Sequence, residues 1–342
     1  MKKKTVSLVL GSGGARGLAH IGVIEALEEA GYEIKAVAGT SMGAAVGAVY
    51  TLGKLEAFKE WFCSLTKFGV WRRIDFTFST QGFVRGEKLF EEMASVVGGD
   101  KNIEDLEMPY TAVAADLHTG QEVWINQGSI FDAVRASIAI PTIFTPKILH
   151  GRELIDGGIL NPTPIEPILE EKNDLIIVVN LNARMTGFQP KQVVEAAEKA
   201  TNMGATPFPE ADKPGHFLFR SKWLHKLPKV NMIKHHLNYI GLTTRSIEVM
   251  QDKITEYAFH LYKPDIVINI SREASGGFDF HLATELIELG KKECKAPLER
   301  YDAQQAQKEA LTQEERISIF QTFQNGWDKL WTYKPNLFNF FT

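Results

Sequence analysis

The chain has 342 residues, of which 44% are hydrophobic and 23% charged, and its formal net charge is −4. That length can bury a sizeable core, as one large domain or a domain with an extension, and the composition is that of an ordinary globular protein. The mild acidity gives no reason to expect a nucleic-acid partner, and the two distant cysteines, Cys63 and Cys294, lack metal-ligand spacing and read as free thiols of a reducing compartment.

The basic start Met1-Lys2-Lys3-Lys4 leads into an apolar stretch, Val6 to Leu10, too short for a signal-peptide core. No apolar run approaches the roughly 20 residues of a membrane-spanning helix. A cytoplasmic protein is expected, with any membrane contact peripheral. Val6–Leu10 itself predicts a strand buried on both faces of a parallel sheet. After a glycine-rich loop, Ile21, Val23, Ile24, Leu27 and Ala30 recur at helical spacing, and Gly31 is a natural stop. Ile34–Ala38 predicts the second strand and Met42–Leu52 the second helix, so the chain opens as a right-handed α/β unit.

Helices are expected near 54–66 and 86–97, and strands at 110–115, 122–125, 175–180 and 265–270. Residues 204–230, with Pro207, Pro209, Pro214 and Pro228, read as an irregular excursion. From His281 the pattern turns helical and more charged, ending in an aromatic tail through Trp327, Trp331, Phe338, Phe340 and Phe341. A domain over 1–275 and a helical extension over 276–342 are expected, with no internal repeat.

Three glycine-flanked polar segments carry the chemistry. The first, Gly39-Thr40-Ser41-Met42-Gly43, lies between the second strand and the second helix. A Gly-x-Ser-x-Gly in that context is a nucleophile elbow: the tight turn lifts the Ser41 hydroxyl from the sheet and the helix N-terminus faces developing negative charge. The second, Gly11-Ser12-Gly13-Gly14-Ala15-Arg16-Gly17, exposes backbone N–H groups beside a helix start and suits a phosphate or an oxyanion. The dinucleotide fingerprint fails in both registers, with Arg16 at the third glycine or Ser12 at the first, and no Walker-type ending follows. What remains is a nest of donors one strand from a candidate nucleophile, the bland alternative being a tight turn with no ligand. The third is Leu154-Ile155-Asp156-Gly157-Gly158, a carboxylate at an apolar strand end and a candidate base. A rival triad would draw its histidine from His216, His225, His235, His236, His260 or His281, none with a recognisable flank; His20, in the first helix, reads as a packing or capping residue.

Together these segments resemble the patatin-like phospholipase family, specifically from Val6 to about Pro164. Its glycine-rich loop corresponds to Ser12–Gly17, its nucleophile segment to Gly39–Gly43 and its Asp-Gly-Gly base to Asp156–Gly158. Ala136-Ser137-Ile138-Ala139-Ile140-Pro141 is similar to the family's Ala-Ser-x-x-x-Pro stretch. The one departure is Ser12 in place of the first loop glycine. The resemblance implies a three-layer α/β/α fold with a mostly parallel central sheet and a helical C-terminal extension. It implies a Ser41–Asp156 dyad, an oxyanion hole from the N–H groups of Gly13 and Gly14, a loop braced by Arg16, and no metal or organic cofactor. The implied activity is hydrolysis of acyl esters of lipids. The alternatives are a Ser–His–Asp esterase or thioesterase for soluble acyl groups, and a catalytically idle lipid- or protein-binding module on the same fold. Two aromatic and basic stretches, residues 216–230 and Val70–Phe78, suggest a lid or contact with anionic lipid, or packed aromatics among solvated charges.

Overall fold

Residues Val6–Leu10 have no polar side chain but Ser7 to offer solvent, and in the computed structural model of the protein they lie fully inside β1 (Thr5–Leu10). The structure describes residues 3–66, 69, 82–84, 87–185 and 229–332, without the side chains of 82–84, 87–90, 229–241, 244 and 312–332. Most of the 204–230 excursion, all of the Val70–Phe78 stretch and the side chains of the aromatic tail lie outside the described residues.

From β1 the chain runs through α1 (Ala19–Glu29), β2 (Glu33–Thr40), α2 (Met42–Thr51), α3 (Leu55–Cys63), β3 (Gly82–Val84) and α4 (Glu87–Val97). It continues through β4 (Tyr110–Asp116), β5 (Glu122–Ile125), α5 (Ile130–Ser137), β6 (Thr142–Phe144), β7 (Lys147–Leu149), β8 (Arg152–Asp156) and β9 (Leu175–Ala183). After the undescribed stretch come α6 (Lys229–Tyr262), β10 (Ile266–Ser271) and α7 (Ala283–Thr332). The chain divides into two compact units, Met1–Lys295 and Ala296–Thr342, and the sheet lies in the first.

The main sheet follows the hydrogen-bonded path β10-β9-β1-β2-β4-β8-β7, with β5 also on β4. Pairing is parallel from β10 to β4 and antiparallel at β5, β8 and β7. Alternate side chains face opposite layers. On one face α2, buried along Met42–Val49, lies against Val37, Leu10 and Tyr110, and the Tyr110 hydroxyl donates to the Ala44 carbonyl (2.8 Å). On the other, Val9, Ala36, Ala38 and Val178 form a core cluster with Ile165 and Ile168, covered by Ala258, Phe259 and Tyr262 of α6. The fold is therefore a three-layer α/β/α arrangement with a mostly parallel sheet and a helical C-terminal region.

The pairing around β4 brings two strand ends together. The odd-numbered positions along β4 bond on a single flank: Pro109 accepts from Val37 N–H of β2 (3.0 Å), while Leu117 N–H donates to Glu153 of β8 (2.9 Å). β2 and β8 therefore occupy the same flank of β4 in tandem, pairing Thr40 with Val113 and Asp156 with Ala114. They run in opposite directions, so their C-terminal ends meet.

Several elements are not anticipated from sequence. β3 and β6 form a separate parallel pair, and β7 has only three residues, none buried, so it shows no alternation. The eight-residue α5 is capped by Ser129, whose side chain accepts from Asp132 N–H (2.9 Å). α6 is polar on average and leaves Leu242, Val249, Met250, Tyr257 and Leu261 exposed, so no single apolar stripe marks it in the sequence. Among the described residues no helix is long and apolar enough to cross a membrane.

Candidate active site

The turn between β2 and α2 is closed by two glycines that touch backbone. A methyl group on Gly43 would fall 2.0 Å from the Leu10 carbonyl oxygen, and one on Gly39 would fall 2.5 Å from Gly43 itself. Such contacts leave no room for any side chain, which is the physical content of the Gly-x-Ser-x-Gly spacing. Ser41 between them has φ 57° and ψ −124°, a backbone region that non-glycine residues rarely occupy. The strain is held by its neighbours: Ser41 N–H donates to Ser137 Oγ (2.8 Å), Ser137 Oγ donates to the Val113 carbonyl (2.6 Å), and Thr40 Oγ1 donates to the Asn161 carbonyl (2.9 Å). Ser41→Gly should therefore melt above Ser41→Ala, by about 1 kcal/mol, because glycine relieves a torsion that alanine retains. Thermal denaturation of the two variants side by side checks this; equal or reversed stabilities would mean that Ser41 is not strained.

Asp156 arrives at the same point from the end of β8. Its Oδ2 accepts a hydrogen bond from Ser41 Oγ at 2.6 Å, its Oδ1 accepts from Gly158 N–H at 2.7 Å, and its own N–H donates to the Ala139 carbonyl at 2.9 Å. Ser41 is only 3% exposed and Asp156 6%. Burial pushes the Asp156 carboxyl up from its ordinary 3.8 to about 6, against the opposing pull of the hydrogen bonds from Ser41 and Gly158. Gly157 follows in a single helical turn, Gly157–Ile159, with its α-carbon against the Val113 carbonyl of β4.

The glycine-rich loop leaves β1 beside both residues. Gly11 N–H donates to the Val179 carbonyl (3.0 Å) and Ser12 N–H to the Pro162 carbonyl (2.9 Å), so these two donors are spent. Ala15 N–H is spent on the Gly277 carbonyl (2.9 Å). Between them, the N–H groups of Gly13 and Gly14 have no acceptor among the described residues. Gly17 lies against the Met42 side chain, which ties the loop to the first turn of α2.

Arg16 is buried rather than displayed at a helix start. Its guanidinium donates to the carbonyls of Leu181 (3.1 Å), Arg272 (3.3 Å) and Ser275 (3.1 Å) and to Asn182 Oδ1 (3.0 Å). Asn182 in turn donates to the Ser12 carbonyl (3.0 Å), so the loop is stitched to the C-terminal ends of β9 and β10. His20 is fully buried, and burial pulls its imidazole down to about 4, so it is neutral and its Nε2–H donates to the Gly11 carbonyl (2.8 Å). Of the other histidines considered, His260 bonds to the Glu256 carbonyl of its own helix. His216 and His225, and the side chains of His235 and His236, lie outside the described residues.

Ser137 is the residue that motif reading named without giving it work. Its segment stands out in the sequence through the Ala-Ser-x-x-x-Pro likeness, but only the structure shows its hydroxyl bridging the Ser41 turn and β4. The side-chain donor at Gln251, on α6, has no such signal.

Comparisons with known proteins give the family. A family model described as patatin-like phospholipase matches residues 8–169. An NTE family protein of Mycobacterium bovis, named as uncharacterized, is 34% identical over 349 aligned residues, covering 90% of this chain and 95% of that protein. Patatin-like phospholipase domain-containing protein 6 of Mus musculus is 37% identical over 171 residues, 47% of this chain and 12% of that much longer protein. Among solved structures, VipD from Legionella pneumophila aligns over 88% of this chain and 67% of its own, at 13% identity and a TM-score of 0.39, too loose a likeness to carry a conclusion. The near-complete overlap with the mycobacterial relative and the family match across all three glycine-flanked segments establish that the chain belongs to the NTE family of patatin-like phospholipase proteins.

Proposed function

We propose that the protein hydrolyses acyl esters of lipids, with Ser41 as the nucleophile and Asp156 as its base. The observation that carries this reading is the direct 2.6 Å contact between Ser41 Oγ and Asp156 Oδ2, made at a strained, buried turn. That separation leaves no room for an imidazole between the two oxygens, which favours a dyad over a triad built on this carboxylate. Asp156 takes the hydroxyl proton as Ser41 Oγ attacks the ester carbonyl. The tetrahedral oxyanion is held by the N–H groups of Gly13 and Gly14, aided by the N-terminal end of α2. The intermediate collapses, the C–O bond to the alcohol breaks, and protonated Asp156 returns its proton to the leaving oxygen. Water then attacks the acyl-Ser41 ester with Asp156 again accepting the proton, releasing the fatty acid and restoring Ser41.

A base must be ionised, and an aspartate of ordinary pKa would be a weak one. With its carboxyl raised to about 6, Asp156 is ionised above that pH and a better proton acceptor when it is. The rate at limiting substrate should therefore rise through about pH 6 to a plateau, which a pH–rate profile on a soluble p-nitrophenyl ester measures. A profile flat from pH 5 upward would remove Asp156 from the role.

The deciding experiment is labelling with a fluorophosphonate probe. Labelling is expected in the wild type, absent in Ser41→Ala and strongly reduced in Asp156→Asn. Normal labelling of Asp156→Asn would put the base elsewhere. A wild type that does not label at all would favour a binding module on the same fold.

A further inference from the structure

The turn that carries the base is not self-supporting. Asp156 is followed by two glycines, the residues with the greatest backbone freedom, and the position of its carboxylate depends on where Gly158 sits. Gly158 lies where three distant segments converge. A methyl group on its α-carbon would fall 3.0 Å from Asp156 Oδ1, 3.0 Å from Ser12 Oγ of the glycine-rich loop and 3.1 Å from Gln251 Nε2 of α6. Its N–H donates to Asp156 Oδ1 at 2.7 Å, and its carbonyl accepts from Gln251 Nε2 at 2.8 Å. Gly158 is thus held on both sides, through its N–H by the base itself and through its carbonyl by a helix 93 residues further along the chain.

α6 is in a position to do this because it is anchored on either side of Gln251. Thr255, one turn on, is buried, and Phe259 packs against the core cluster. Asp252 pairs with Arg272, beyond the end of β10, and with Arg184, beyond the end of β9. The carboxamide of Gln251 is thereby presented to the Gly158 carbonyl from a fixed helix.

We propose that Gln251 is a positioning residue for Asp156: by holding the Gly158 carbonyl it sets the turn whose N–H orients Oδ1, and so aims Oδ2 at Ser41. The inference rests on the reading of Ser41 and Asp156 as nucleophile and base. No hydrogen bond joins Gln251 to Ser41 among the described residues, and its removal should lower turnover rather than substrate affinity. It should also weaken the Gly158 N–H donation that stabilises the carboxylate, and so raise the pH at which Asp156 ionises. No charged side chain contributes to the Asp156 shift. The charged groups of the neighbouring elements are engaged elsewhere: Glu248 and Asp252 of α6 with Arg245, Arg272 and Arg184, Arg16 with carbonyls, Asp116 of β4 with its own turn, and Asp132 and Arg135 of α5 with Lys147 and Thr145. A change at position 251 therefore reads out cleanly at Asp156.

The test is a carboxyl ¹³C NMR titration of Asp156, assigned by difference from Asp156→Asn, run with kcat and KM for p-nitrophenyl butyrate on the full chain. Gln251→Leu should raise the Asp156 midpoint by about half a unit to one unit and lower kcat about tenfold at pH 7, with KM nearly unchanged. Gln251→Lys keeps a donor for the Gly158 carbonyl and brings a positive charge, so its midpoint should move down instead. An Asp156 midpoint and kcat unmoved in Gln251→Leu, with only thermal stability reduced, would overturn the inference and leave Gln251 a structural contact. The titration reports the coupling whether or not the protein turns over: a wild type without hydrolysis defeats the dyad reading, whereas an active wild type with an unresponsive Gln251→Leu defeats only this one.

Discussion

Asp156→Asn should reduce ester hydrolysis by about 10³-fold while making the folded protein more stable at pH 8, two effects of opposite sign from one substitution. An asparagine can keep both hydrogen bonds in place. Its Oδ1 still accepts from Gly158 N–H, and its Nδ2–H can donate to Ser41 Oγ where Asp156 Oδ2 now accepts. The geometry survives; what is lost is the ability to take a proton. Steady-state hydrolysis of a p-nitrophenyl ester measures the first effect, and retention of more than a tenth of wild-type kcat would deny Asp156 the role of base.

The second effect follows from linkage. The folded-state pKa of Asp156, about 6, lies above the ordinary 3.8 expected when unfolded. A group raised in this direction stabilises the fold fully below about pH 3.8, and that contribution is lost as the pH rises through about 6. Above it the buried carboxylate costs on the order of 2–3 kcal/mol, and a neutral asparagine does not incur that cost. The variant should melt a few degrees above wild type at pH 8, and the gap should close toward pH 4. Calorimetry at the two pH values distinguishes this from ordinary repacking, which would give the same difference at both. In the proposed mechanism, activity depends on keeping an ionised group where burial disfavours it.

Much of the site is legible in the sequence because its geometry leaves no freedom of residue type. Gly39 and Gly43 touch backbone, Val6–Leu10 is buried on both faces, and each condition writes a short local pattern around Ser41. The aspartate stands at an apolar strand end for the same reason. What the sequence does not display is the path that joins these segments. That β2 and β8 share one flank of β4 depends on the pairing of Ala114 with Asp156, across 42 residues of chain, and no local pattern encodes such a register. Ser137 and Gln251 hold their partners through side-chain hydrogen bonds, two at the Ser137 hydroxyl and one from the Gln251 carboxamide, which residue type alone does not announce. α6 escapes notice because its apolar residues do not mark one face: Ala258, Phe259 and Tyr262 pack on the core, whereas Leu242, Val249, Met250, Tyr257 and Leu261 are exposed.

Gly22 and Gly290 show the same limit from the side of packing, and they carry the largest expected effect on stability. In a helix interior each glycine weakens the helix by roughly 1 kcal/mol relative to alanine, so from sequence alone both look like places to improve. The structure reverses that inference. A methyl group on Gly22 of α1 would fall 1.9 Å from the Ile287 carbonyl of α7, and one on Gly290 would fall 2.0 Å from the Ala19 carbonyl of α1. Each helix thus presents a bare α-carbon to the backbone of the other, and Leu286, Ile287 and Leu289 are buried around the crossing. Gly22→Ala should destabilise the protein by about 3 kcal/mol or more, since backbone cannot yield as a flexible side chain does. Gly290→Ala should cost a similar amount, and the double variant clearly less than the two together, because parting the helices once relieves both clashes. Gly31→Ala is the control: its φ of 83° is strained for alanine but nothing lies within 4 Å, so about 1 kcal/mol is expected. Urea denaturation of the four variants decides the matter, and simple additivity would mean that the two helices do not share one contact. Because α1 follows directly from the turn Gly14–Leu18, helices forced apart here also displace the loop that carries the N–H groups of Gly13 and Gly14. Gly22→Ala should therefore lose hydrolysis at temperatures where its fold is still intact.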